Sequence, residues 1–115
     1  DSKYHLRVGR SESLLGPYLD KDGRPLTDRG TGTVILNGND TYTGPGHNSR
    51  LVTDANGTDW TLYHAILKSN PKVPSGANRR VLMLDSITWK DGWPEIAGGA
   101  VDTDPQAKPV FTPIK

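Results

Sequence analysis

An all-β fold of repeated four-stranded units is what this chain predicts, on three observations. Glycine and proline are abundant, at 13 and 9 of 115 residues, against an apolar share of 33%. That composition suits short strands and tight turns better than helices. Apolar and polar residues alternate in short runs bounded by turn residues, and no segment keeps a helical period for long. A strand-plus-connection unit also recurs. Val8-Gly9-Arg10-Ser11-Glu12-Ser13 and Met83-Leu84-Asp85-Ser86-Ile87-Thr88 align 75 residues apart, each followed by glycine and an aromatic–proline pairing (Gly16-Pro17-Tyr18; Gly92-Trp93-Pro94). Four-stranded units repeated in this way mark a β-propeller, whose ring closes with at least four blades.

In chain order, Tyr4 to Arg10 alternates as a half-exposed strand, and Pro17-Tyr18-Leu19 follows as the start of an outer strand. Lys21-Asp22-Gly23 reads as a hairpin turn and Gly32 to Leu36 as a strand. Gly44-Pro45-Gly46-His47-Asn48 reads as a turn that places one histidine just ahead of a strand from Asn48 to Thr53. Asp54-Ala55-Asn56-Gly57-Thr58 then turns the chain into Asp59 to Ile66, because Asn-Gly readily supplies positive φ angles. Lys68 to Asn78 is a polar loop, Arg80 to Asp85 the most apolar strand, and Trp93 to Ile96 a short edge strand. Pro109-Val110-Phe111 is the candidate for a closing strand. The expected organisation is a partial blade over residues 1–43, a complete blade over 44–99 and a Pro-rich tail over 100–115. About one and a half blades are present, so the chain reads as a portion of a propeller.

Composition excludes several classes of function. The formal charge is +1 and Arg79-Arg80 is too short a basic run, so nothing points to nucleic acid or an acidic membrane surface. With no cysteine there is neither a disulfide framework nor thiolate chemistry. No apolar run approaches the roughly 18 residues of a membrane span, and no signal peptide opens the chain. Asn39-Asp40-Thr41 and Asn56-Gly57-Thr58 fit the glycosylation sequon.

Five motifs occur in order: Gly9 to Ser13, Gly16 to Gly23, Gly44 to Asn48, Thr58 to Ala65 (Thr-Asp-Trp-Thr-Leu-Tyr-His-Ala) and Asp91 to Pro94. Together they resemble the C-terminal part of glycoside hydrolase family 43, nearest its arabinan endo-1,5-α-L-arabinanases, with the likeness running from Asp1 to about Gly99. The resemblance implies a five-bladed β-propeller that hydrolyses arabinose- or xylose-containing polysaccharides with inversion, and an extracellular location. Inversion needs one carboxylic acid to protonate the leaving oxygen and one carboxylate to activate water. The family's three acidic residues lie on earlier blades, so no catalytic residue is expected here and the chain alone should be inactive. One functional position carries over: His47 matches the channel histidine that binds a cation, commonly calcium, with water as most other ligands. Calcium prefers oxygen, so the expected role of such an ion is electrostatic. The implied partners are the missing N-terminal propeller portion or a second copy, and arabinan or arabino-oligosaccharide as substrate.

Other residues read as structural. His64 reads as a hydrogen-bonded core or interblade histidine and His5 as solvated. Asp54, Asp59, Asp85, Asp91 and Glu95 sit at strand ends or turns, where Asp bonds backbone. Trp60, Trp89 and Trp93 read as packing between blades. Two rival functions remain: a small non-catalytic β module that binds carbohydrate through these tryptophans, and a portion of a family 43 β-xylosidase or α-L-arabinofuranosidase.

Overall fold

The longest strands form where β-branched and aromatic residues alternate with polar ones. In the computed structural model, which describes residues 2–102 and 107–113, β5 (Asp59–Leu67) and β6 (Arg80–Lys90) pair antiparallel from Asp59↔Ile87 to Ile66↔Arg80. β7 (Trp93–Ile96) returns along β6 through Asp91 and Gly92, with φ values of 53° and 75°. Positive φ at both central residues is the tight-turn geometry that matches strand twist. On the far side of β5 lie β3 (Tyr42–Gly46) and, further along, β4 (Val52–Thr53). The sheet order is β3-β5-β6-β7, with β4 on β5. β1 (Leu6–Val8) and β2 (Thr33–Leu36) make a separate antiparallel ribbon.

Because strand side chains alternate between faces, the β5–β6 register puts Tyr63, Ala65 and Ile87 on one side of the sheet. They form the core with Leu36 of the ribbon, Ile96 and Val101, flanked by Leu6, Ile35, Tyr42 and Met83. The Asn37 amide donates to the Gly99 carbonyl at 2.9 Å and the Val101 amide to the Asn37 carbonyl at 3.1 Å, tying the ribbon to the segment after β7. The opposite face is open at its middle, where Leu62 and Leu82 are 41% and 75% exposed, while Trp60 and Ile66 at its ends are buried.

The molecule is a slab of 46 × 45 × 23 Å with a radius of gyration of 15.8 Å. A compact globule of this length has roughly 13 Å. Its accessible surface is 8046 Å², against about 6200 Å² for a compact monomer of this mass. A large share of surface therefore lacks a partner within the chain.

The expected turn at Gly44-Pro45-Gly46 is instead part of β3. The register with β5 shifts between Thr43 and Gly46, so Pro45, which has no N–H to donate, sits in a bulge on an edge strand. The expected strand from Asn48 is laddered only at Val52–Thr53, although the Ser49 amide reaches the Leu62 carbonyl at 2.7 Å. β6 continues to Lys90, so Ser86-Ile87-Thr88 lies within a strand, not in a connection. The partner of β1 is β2, and Leu19 makes only isolated bridges to Arg10 and Pro25. Pro109–Phe111 forms no strand; Val110 alone bonds to the Asp54 turn. The rest of the tail, residues 103–106 and 114–115, lies outside the described residues.

Leu36 is 0% exposed at the ribbon–sheet junction. Leu36→Ala should cost about 3 kcal/mol, read as a drop in urea midpoint at unchanged m-value. A loss below about 1 kcal/mol would contradict this core position.

Candidate functional site

Between β3 and β4 the strand path breaks, and His47 stands at the break. Its φ of 52° is left-handed, uncommon for a residue with a Cβ, and its side chain is exposed. Such local strain is retained where surrounding structure enforces it and often marks a functional position. The His47 ring lies 5.9 Å from that of His64, tilted by 57°. His64 pairs across β5 with Gly46 and stacks on Tyr4 at 5.9 Å and 27°. Tyr4 can lie there because Gly46 has no side chain; a Cβ would come within 2.9 Å of the tyrosine ring. A shallow depression of about 440 Å³ results, lined by His47, Asn48, Ser49, Leu62, His64 and Leu82, with Tyr63 behind.

His64 differs from its sequence-based reading. Its Nδ1 is buried and, among the described residues, has no hydrogen-bond partner. Burial, then the charges of Arg80 and His47, pulls its pKa below the ordinary 6.5. The neutral imidazole is therefore the favoured form. His5 is not merely solvated: its Nδ1 faces the Lys3 carbonyl at 3.0 Å, and its Nε2 accepts from Arg7 Nε at 2.8 Å.

The carboxylates do structural work elsewhere. Asp54 Oδ1 accepts the amides of Asn56 and Thr58 at 2.9 and 3.0 Å, while Oδ2 accepts the Trp60 indole at 3.0 Å and the Val110 amide at 3.1 Å. Asp20 repeats this wiring. Its Oδ1 accepts the amides of Asp22 and Arg24 at 3.0 and 2.9 Å, and its Oδ2 accepts Arg24 Nε and the Gly32 amide, both at 3.0 Å. In both turns the fourth residue is a glycine with φ of 78°. Burial alone would raise both acids above 3.8, but the hydrogen bonds outweigh it and hold both below that value. Asp59 is also lowered, by Thr53 and by the Trp89 indole, which donates to it at 2.7 Å. Asp85, buried, accepts the Tyr63 hydroxyl, and burial pushes that hydroxyl's pKa well up. Trp60 and Trp93 are buried as expected, whereas Trp89 is 52% exposed.

Among the described residues no acid lines the His47 depression. Among the described residues no group of three His, Cys, Asp or Glu could hold a metal ion. The donor set fits one nitrogen contact to a largely water-ligated cation, and it does not provide the oxygen cage that calcium prefers. No helix of the described residues is long and apolar enough to cross a membrane.

Fold and site together define a sheet-built protein that offers a histidine on an incompletely covered face. The chain belongs to the glycosyl hydrolases family 43, whose profile matches residues 1–94. It is 36% identical over 90% of its length to an extracellular exo-α-(1→5)-L-arabinofuranosidase of Cellvibrio japonicus, covering 27% of that protein. It is 33% identical over 82% of its length to extracellular endo-α-(1→5)-L-arabinanase 1 of Bacillus subtilis, covering 25% of it. With arabinan endo-1,5-α-L-arabinosidase C of Emericella nidulans the identity is 34% over 82% of the chain and 28% of the relative. The chain thus spans about a quarter of the length of these relatives. No solved structure matches it significantly.

The low pKa of Asp54 has a consequence for acid stability. A carboxyl whose folded pKa is depressed adds stability above its unfolded value, and that stability is lost as pH falls through the folded value. Asp54→Asn should lower the urea midpoint at pH 7, and the gap from wild type should narrow as pH drops below about 4. A gap that stays constant or widens in acid would contradict the ionised, hydrogen-bonded Asp54 described above.

Proposed function

We propose that this chain forms the C-terminal part of a family 43 enzyme that cleaves α-1,5-linked arabinan by inverting hydrolysis. In this reading the sheet from Tyr42 to Ile96 is one blade of a five-bladed propeller, and the β1–β2 ribbon is part of the blade before it. The observation that carries the proposal is the family match joined to relatives whose names specify α-(1→5)-arabinan chemistry. Inverting hydrolysis needs an acid and a base about 6.5–9.5 Å apart on opposite faces of the sugar. Among the described residues the depression beside His47 holds no carboxylate, so both would come from other blades, and this chain alone would be inactive.

His47 would contribute one nitrogen to a hydrated cation, calcium in the first instance. Such an ion supplies a fixed positive charge that lowers neighbouring carboxylate pKa values and orders water. The strained backbone of His47 and its exposed ring favour a ligand role over a packing one. The open Leu62–Leu82–Leu84 face would be covered by the missing propeller portion or, in its absence, by a second copy. Two of the relatives are named as extracellular, which supports a secreted protein. A second reading is exo-acting arabinofuranosidase activity, favoured by the name of the 36% identical relative.

The 115-residue chain should release no reducing sugar from debranched arabinan, and should self-associate in light scattering. In a complete protein containing it, arabinan should be cleaved, and His47→Ala should lower kcat by roughly 10- to 100-fold with little change in KM. Full activity of the isolated chain, or an unaffected His47→Ala enzyme, would sink the proposal.

A further inference from the structure

A cavity of about 850 Å³ opens between the 10–23 segment and the β6–β7 turn, sharing no lining residue with the His47 depression. One wall is Trp93, only 8% exposed. Two cations address its ring: the Arg10 guanidinium carbon lies 4.3 Å from the centroid and Lys21 Nζ lies 5.7 Å from it.

Arg10 is fixed in this position. Its backbone exchanges hydrogen bonds of 2.9 and 2.8 Å with Leu19, and its Nη1 donates to the Asp91 carbonyl at 2.7 Å. Gly92 permits that approach, since a Cβ there would come within 2.9 Å of Nη1. Lys21 is held through its amide, which donates to Thr33 Oγ1 at 2.9 Å. Among the described residues neither cation forms an ion pair: the pairs are Arg24–Asp20 and Arg24–Asp22, at 3.0 and 3.4 Å. Two carboxylates line the same cavity: Glu12 pairs with neither cation, and Asp20 is held by Arg24 at 3.0 Å.

An indole attracts cations through its quadrupole but does not neutralise them. Two like charges held over one ring repel, and an anion beside both removes that cost. The remaining wall suits hydroxyl groups. Ser11 and Ser13 oxygens accept backbone amides at 3.1 and 3.3 Å, which leaves each O–H to donate, and Glu12 accepts only. The volume exceeds what a bare oxyanion needs and falls within the range of small-ligand sites.

We propose that this cavity binds an acidic sugar. Its carboxylate is taken by Arg10 and Lys21, and its hydroxyls by Ser11, Ser13 and Glu12. Repulsion from Glu12 on the same wall grows with ligand charge, so it weighs more heavily on a dianion such as phosphate than on a single carboxylate. The site stands on this cavity alone and does not depend on the arabinan proposal.

Glucuronate and glucose differ only in the carboxylate and isolate its effect. Calorimetry on the 115-residue chain should show saturable glucuronate binding at least tenfold tighter than glucose, weakening as salt is raised. Hydrogen–deuterium exchange, which reads local protection in any oligomeric state, should place protection at residues 10–23 and 91–93. Lys21→Gln, at an exposed position, should weaken glucuronate about tenfold with an unchanged circular dichroism spectrum. Arg10→Lys, which keeps the charge and loses the planar fork, should weaken it as well. Glucuronate bound no tighter than glucose, unaffected binding in Lys21→Gln, or protection elsewhere would overturn the proposal. Inorganic phosphate binding as tightly as glucuronate would also overturn it, since the cavity would then be an anion patch with no use for the sugar.

Discussion

The antiparallel register of β5 and β6 is the constraint on which the rest of this structure depends. Side chains alternate with a period of two, so a slip of one residue would exchange the faces of both strands. The observed register sends Tyr63, Ala65 and Ile87 toward the β1–β2 ribbon. The same register leaves Leu62 opposite Leu84 and His64 opposite Leu82 on the other face. His64 is therefore half-buried on an apolar surface that nothing within the chain fully covers. The depression beside His47 is a consequence of that placement. It arises where the inner strand path breaks and where Gly46 yields its space to Tyr4.

Two carboxylates then hold the ends of the sheets in place with one piece of local chemistry used twice. In Asp20-Lys21-Asp22-Gly23-Arg24 and Asp54-Ala55-Asn56-Gly57-Thr58, the first carboxylate accepts the amides two and four residues on. Each also reaches a distant group with its other oxygen: the Gly32 amide for Asp20, the Trp60 indole and Val110 amide for Asp54. A turn closed only by backbone bonds would leave those donors without partners as they are buried, at a cost comparable to a lost hydrogen bond. Asp54, Asp59 and Asp85, which could be imagined as a catalytic pair, are thus engaged in structural hydrogen bonds.

How much of this could be read from the residues depends on whether the determining interaction is local. β5, β6 and β7 follow from alternation, and the 54–58 turn follows from Asn-Gly, because register and turn chemistry are written within a few residues. β3 was hidden by Pro45: proline normally argues against a strand, and only the bulge against β5 makes it admissible. The pairing of β1 with β2 was hidden by the long intervening excursion through Leu19, which offers its own aromatic–proline decoy at Pro17-Tyr18. His47 was singled out by its glycine-rich setting, yet its left-handed backbone and its partnership with His64 and Tyr4 are tertiary. Arg10 and Lys21 lie in the Gly9–Ser13 and Gly16–Gly23 motifs, but nothing in either motif points to a shared target. They converge on Trp93 only because the 10–23 segment folds over the β6–β7 turn.

The amount of uncovered surface says what kind of assembly this sheet is built for. The accessible area of 8046 Å² exceeds that of a compact monomer of equal mass by roughly 1800 Å². One side of a standard recognition interface buries only about 800 Å². In the proposed propeller, the missing portion would cover part of this excess in a permanent interface, a kind more apolar than transient ones. Leu62, Leu82 and Leu84 lie together on the β5–β6 pair, while the exposed Leu14, Leu15, Leu26 and Leu51 lie in loops. A face of this kind positions a histidine with useful precision only once it is covered. Until then Leu82 stands 75% exposed and the left-handed His47 is enforced from one side alone. In the proposed enzyme, completion of the site and burial of the sheet face would be one event, because His47 borders the same open face as Leu62 and Leu82.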